Sequence, residues 1–186
     1  MARNTTLSFE FYPPQTQEGV TNLMQTAKEL NVYNPDFFSV TFGAGGSTKE
    51  KTLDTVLDLK KSGFNATPHI SCISSSKAEI KELLDKYKAN KINHLVALRG
   101  DNPSGSVNFG ELNYANELVN FIKSEMGDAF KIDVGAYPEV HPESETAKQD
   151  FINFKNKVEA GADSAITQFF YNVDAYFKFV DECQKN

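Results

Sequence analysis

His94-Leu95-Val96-Ala97-Leu98 is apolar at four consecutive positions and runs straight into Arg99-Gly100-Asp101. A strand with one wet face alternates polar and apolar residues; one that does not alternate has both faces covered, as parallel strands flanked by helices do. The neighbouring segments supply that cover. Residues 77–89 form a charged amphipathic helix announced by Ser75 and Ser76, and residues 113–126 form another. The rhythm continues in both directions. Strands are expected at 7–12, 36–41, 65–70, 94–98, 131–136 and 164–169, with helices at 18–30, 47–61, 77–89, 113–126, 143–160 and 174–183. Ser47 and Glu50 fit a capping box, and Gly161 is a natural residue to follow a helix end.

A helix between each pair of strands implies parallel pairing. With no central crossover signal, the pattern favours an α/β fold of the (β/α)8 TIM-barrel family over a doubly wound sheet, with six of the eight units in this chain. At roughly 30 residues per unit, a closed barrel needs roughly 60 more residues. The expectation is a single catalytic-barrel domain over residues 1–186, truncated at its C-terminal end and leaving two unpaired strand edges. Neither an internal repeat beyond this rhythm nor a linker interrupts it.

The chain has 186 residues with 40% hydrophobic and 24% charged side chains, enough for one domain with a real core. Its net charge of −6 and lack of a basic cluster argue against a nucleic-acid partner. No apolar run approaches the roughly 20 residues of a membrane span, and the first residues lack the apolar segment of a secretory signal. Cys72 and Cys183 stand far apart and outside any CxxC, as reduced thiols of a cytoplasmic protein do.

In a parallel barrel the chemistry sits at the C-terminal ends of the strands. Those positions carry Glu10, Thr41, His69, Arg99-Gly100-Asp101, Tyr137 with His141, and Gln168. Any one of them is explained by a strand end reaching water; six on one rim outline a site. Glu10 lies in Ser8-Phe9-Glu10-Phe11-Tyr12-Pro13-Pro14, where alternation sets it opposite Phe9 and Phe11 and two prolines end the strand. A carboxylate in apolar surroundings suits an acid or base. Gly100 lets the backbone approach a ligand closely. No H-x-H or H-E-x-x-H spacing supports a metal site. Gly43-Ala44-Gly45-Gly46 lacks the Lys-Ser/Thr of a P-loop, no strand is followed by G-x-G-x-x-G, and no nucleophile elbow is present.

The rim segments SFEFYPP (8–14), FFSVTFGAGGS (37–47), ATPHISC (66–72), HLVALRGD (94–101), AYPEVHPE (136–143) and AITQFFY (165–171), in this order, resemble the methylenetetrahydrofolate reductase family. The likeness covers nearly the whole chain and is greatest to the short bacterial form. It implies a barrel mouth filled by FAD, with contacts from Phe42, Ala44, His69, Arg99, Gly100, Asp101, Tyr114, Ala115, Tyr137, His141, Ser144, Asp150, Asn153 and Lys157. Asp150, Asn153 and Lys157, spaced i, i+3, i+7, share one helix face, which also fits a solvated stripe. Asn156 stands where relatives often carry Arg.

The resemblance further implies NADH or NADPH as reductant and methylenetetrahydrofolate as acceptor, taking turns on the flavin beside Thr41, Asp101 and Gln168. It makes Glu10 and Asp101 the catalytic residues: Glu10 the acid that opens the substrate's five-membered ring, Asp101 the carboxylate beside the resulting cation. It places the protein in cytoplasmic one-carbon metabolism and methionine biosynthesis, as a homo-oligomer when full length. Two other readings stay open: an inert flavin- or folate-binding fragment of the same barrel, and a flavin-free barrel lyase or aldolase. The rim has no strand-borne Lys for a Schiff base.

Overall fold

The structure, a computed structural model, describes residues 6–42, 49–101 and 110–185. Among them six parallel strands, β1 (Ser8–Phe11), β2 (Phe37–Val40), β3 (Ala66–Ser71), β4 (His94–Leu98), β5 (Lys131–Ala136) and β6 (Ser164–Thr167), form one sheet in chain order. Helices α1 (Gln17–Leu30), α2 (Lys49–Lys61), α3 (Lys77–Ala89), α4 (Ala115–Met126) and α5 (Ala147–Glu159) connect them, and α6 (Val173–Lys185) follows β6. Every neighbouring pair is parallel, so the sheet is the half-barrel expected of six consecutive βα units.

Strand parity assigns the two faces. Phe38, Val40, Ala66, Ile70, Leu95, Ala97, Ile132 and Val134 are buried in a core with Leu23, Ala27, Val56, Leu59, Leu84, Leu118 and Ile122 from the helices. Phe9 and Phe11 stack on Phe38 at 6.1 and 5.5 Å between centroids, which fixes β1 with Glu10 on the opposite face. Helix starts follow the side chains that satisfy their open N–H groups. Thr16 and Thr146 accept from Gly19 and Gln149, and Ser76 with Glu79 forms a capping box. The box expected at Ser47 falls outside the described residues.

Sequence and structure differ mostly at element ends. Helix α5 begins at Ala147 rather than 143, because Thr146 is its cap and Pro142 to Glu145 lie in the turn before it. Likewise α4 begins at Ala115, with Tyr114 as extended N-cap. Two short 3₁₀ turns, Asn31–Tyr33 and Gly127–Ala129, close α1 and α4.

The face turned away from the helices carries a polar chain that sequence reading missed. Thr67 Oγ1 lies 3.0 Å from His94 Nδ1, His94 Nε2 lies 2.8 Å from Asp133 Oδ2, and Ser164 Oγ donates to Asp133 Oδ1. These bonds join β3, β4, β5 and β6. Asp133 is buried, and although burial alone would raise its pKa, the bonds from His94 and Ser164 hold the carboxyl below its ordinary value. A polar residue at an inward position of an otherwise apolar strand, as in Lys131-Ile132-Asp133-Val134, was the available signal.

Candidate active site

The rim residues fall into two groups. The first is built by β1, β2 and β3. Register sets Glu10 beside Ser39, and Ser39 beside Thr67. His69, two residues beyond Thr67, turns its Nε2 to within 3.3 Å of Glu10 Oε2. That contact is in ion-pair range but is not aligned as a hydrogen bond, and Nε2 has no other partner. Burial raises the pKa of Glu10, with the Ser39 hydroxyl opposing in part. Burial also lowers His69 from its ordinary 6.5 to about 4, Asp133 opposing, so the ring is neutral at pH 7. Thr41 is buried at the end of β2; its carbonyl accepts from Thr52, while its own hydroxyl Oγ1 has no partner.

The neutral ring of His69 makes stability depend on pH. Below 6.5 an unfolded chain protonates this histidine while the folded one does not until about 4. Its contribution is therefore complete above 6.5 and is lost as pH falls to 4, a loss of about 3 kcal/mol. Urea midpoints measured across that range should fall steeply in the parent and less steeply in His69→Gln. Equal slopes in the two proteins would contradict a neutral buried ring.

The second group surrounds a cavity of about 620 Å³ between the ends of β4 and β5 and the start of α5. Arg99, Tyr114, Ala115, Tyr137, His141, Ser144, Asp150, Asn153 and Lys157 all line it, with Asn156 beside them. The i, i+3, i+7 set on α5 thus faces a cavity rather than forming a solvated stripe. Asp150 organises the loop before the helix by accepting from the His141 N–H and from Ser144 Oγ at 3.1 and 2.9 Å. Lys157 donates to the Gly135 carbonyl and lies 5.9 Å from the centre of the Tyr137 ring; burial lowers its pKa. His141 packs edge-on against Tyr137 at 4.5 Å.

Arg99 spans the cavity wall to Glu143 at 2.6 Å, and this pair raises the pKa of Arg99 and lowers that of Glu143. Glu143 was not singled out from sequence, nor was Glu139. Glu139 accepts from the backbone N–H groups of Tyr171 and Asn172 at 3.1 and 2.7 Å, tying the loop after β5 to the one after β6.

The remaining rim residues are placed differently. Asp101 is exposed and lines neither group, though its charge acts on Arg99 and Tyr137. Gln168 is exposed at the end of β6, its side chain accepting from the Phe169 N–H. Phe42 is half-buried just after β2, and Ala44 lies outside the described residues. Gly100 has a steric reason to be glycine beside the one expected. Its φ is +87°, and an added Cβ would fall 2.1 Å from Ser71 Oγ and 2.9 Å from Ile73, so its missing side chain makes room for β3. Among the described residues no cluster of three or more His, Cys, Asp or Glu is arranged to hold a metal ion. No helix among them is long and apolar enough to cross a membrane.

An open α/β barrel with a lined cavity at the C-terminal ends of its strands defines the class: a barrel of the enzyme type. Comparison with known proteins gives the family. The family model for methylenetetrahydrofolate reductase matches residues 1–186, and the chain belongs to that family. The 5,10-methylenetetrahydrofolate reductase of Salmonella typhimurium is 44% identical over 178 residues, covering 95% of this chain and 59% of that protein. The Escherichia coli reductase gives the same figures, 44% over 178 residues. An Arabidopsis thaliana protein named methylenetetrahydrofolate reductase (NADH) 1 is 38% identical, covering 97% of this chain and 33% of its own length.

The chain thus spans about 59% of the length of its bacterial relatives. Among solved structures, an uncharacterized protein from Clostridium thermocellum that binds two copies of 5-methyl-5,6,7,8-tetrahydrofolic acid superposes with a TM-score of 0.67 at 16% identity, covering 95% of this chain and 59% of that one. A 2,3-dimethylmalate lyase superposes at 0.61 with 4% identity, covering 96% of this chain and 62% of its own. At such identities these likenesses speak to the fold alone.

Proposed function

We propose that this chain is the larger part of a cytoplasmic, flavin-dependent reductase that converts 5,10-methylenetetrahydrofolate to 5-methyltetrahydrofolate at the expense of NADH or NADPH. The observation that carries the reading is a cavity lined by Arg99, Tyr114, Ala115, Tyr137, His141, Ser144, Asp150, Asn153 and Lys157, nine of the fourteen residues the family resemblance implies for FAD. The residues suit the group. The cavity volume of about 620 Å³ lies within the usual ligand range of about 300–1,000 Å³. Arg99 and Lys157 offer cations to a pyrophosphate, Tyr137 a flat aromatic face, and Asn153 a polar contact. FAD, when bound, supplies the hydride carrier that lets the nicotinamide and folate substrates alternate in ping-pong fashion.

The chain's own residues then divide the work. Thr41, with an unpartnered buried hydroxyl, and Gln168, at the exposed end of β6, are assigned to holding the alternating substrates. Glu10 donates a proton to a nitrogen of the folate's five-membered ring. Its O–H bond breaks, an N–H bond forms, and the adjacent C–N bond opens to leave an iminium cation. A carboxyl whose pKa is raised by burial retains that proton nearer neutrality. Asp101 contributes a carboxylate that stabilises the cation and holds the folate. The full-length protein is proposed to be a homo-oligomer; in this chain both thiols are free and Cys72 is buried.

Titration of the 186-residue chain with FAD, followed by flavin fluorescence, tests the cofactor assignment. Lys157→Ala should weaken binding by about 10-fold, the scale of one charge-assisted bond. Equal affinity in parent and variant would remove the α5 face from the cofactor site. Bleaching of bound flavin by NADH would then separate a working reductase from an inert binding fragment, which the 59% coverage of its relatives keeps as a second reading.

A further inference from the structure

Glu10 and His69 reach each other across β2, with His69 Nε2 3.3 Å from Glu10 Oε2. Nε2 is closed off from solvent and has no hydrogen-bond partner as placed. A buried polar atom left alone costs about 1–3 kcal/mol, so a small closing movement toward Glu10 is favoured. The other neighbours offer little competition. β2 contributes Ser39, which bonds to Glu10, and β4 contributes Val96 beside His69. From β5, Asp133 acts on the ring through its charge.

We infer that His69 is the positioning residue for Glu10, and that its neutral ring changes tautomer as Glu10 takes up or releases its proton. A neutral imidazole carries one proton, on one of two nitrogens. When Glu10 is a carboxylic acid, its O–H donates to a bare Nε2 and the ring proton sits on Nδ1. When Glu10 is a carboxylate, the ring proton sits on Nε2 and donates to Oε2. The bond persists with donor and acceptor exchanged. In that exchange Glu10 loses one proton, Nδ1 gives one to solvent and Nε2 gains one, so the ring stays uncharged. Burial keeps the doubly protonated ring out of reach near neutral pH. The consequence, which rests on the reductase reading, is that Glu10 is held in one place before and after it protonates the folate.

The linkage itself needs neither flavin nor folate. In the 186-residue chain carrying Phe169→Lys and Phe177→Lys, which remove exposed apolar surface at β6 and α6 and favour the monomer, the two ring nitrogens of His69 are followed by ¹⁵N NMR while the Glu10 carboxyl carbon is titrated by ¹³C NMR. Across the Glu10 titration, Nδ1 and Nε2 should exchange protonated and bare character without both becoming protonated. In Glu10→Gln that exchange should be lost, one tautomer persisting throughout. Glu10 is half exposed, so this variant leaves the core untouched. Ring nitrogens that stay unchanged while Glu10 titrates, or that exchange equally in Glu10→Gln, overturn the inference. Such a failure leaves the reductase reading standing, and an inactive reductase leaves the tautomer result standing.

Discussion

Glu10→Gln should lower folate reduction by about 10² or more, the scale expected for loss of a general acid, while flavin uptake and flavin reduction by NADH stay near the parent values. Gln keeps the length of the side chain and its bond to Ser39 but has no proton to give. Phe9 and Phe11, which anchor β1 on Phe38, are untouched, so the strand and its register should hold. The two half-reactions have to be measured separately, in a chain extended with the C-terminal part of a bacterial relative. A variant that reduces folate at the parent rate would take Glu10 out of the mechanism. One that also fails to accept electrons from NADH would show that the substitution disturbs the flavin site instead.

Position along the strands was legible before the structure; direction and partnership were not. The apolar run at β4 and the alternation of β1 fix which residues stand at the C-terminal rim, because a parallel sheet leaves them nowhere else to be. Hence Glu10, Thr41, His69 and Arg99 lie where they were expected. What sequence does not encode locally is which rim residues meet. Glu10 and His69 are far apart in the chain and touch only because β1, β2 and β3 lie side by side. The α5 face illustrates the same limit. Asp150, Asn153 and Lys157 share a stripe by periodicity alone, but whether that stripe meets water or a cavity depends on the loop that Asp150 holds through Ser144 and His141.

Gly100 carries a constraint that its own segment does not show. In Arg99-Gly100-Asp101 a glycine suggests a ligand approaching the backbone, and independently of any ligand Ser71 from the preceding strand already forbids a side chain there. The Thr67, His94, Asp133 and Ser164 chain was missed for a related reason. Asp133 stands out in its own strand but its partners do not, and only the side-by-side placing of the strands, with His94 reaching diagonally to Asp133, joins them into four-strand cross-bracing of the inner face.

The 186-residue chain on its own should self-associate. In the sheet, β1 pairs with β2 and β6 with β5, so each outer strand has one neighbour among the described residues. Parallel edges of this kind template further pairing. The β6 side is also apolar: Ile166, Phe169, Tyr171, Val173 and Phe177 are all exposed, Tyr171 to 88%. Clustered at the end of one strand and the start of α6, they make the sort of contiguous patch that soluble monomers rarely show. The N-terminal side is milder, with Leu7 and Tyr12 exposed but Phe9 and Phe11 packed on Phe38. Association should therefore begin at β6. Size-exclusion chromatography across a concentration series should show oligomers growing with concentration, and Phe169→Lys with Phe177→Lys should shift the chain toward monomer. Adding the C-terminal segment of a bacterial relative should do the same by covering the patch, and should raise flavin retention. A monodisperse monomer that holds flavin tightly without any such segment would show that the six-unit sheet is self-sufficient, with its β6 face stable in water.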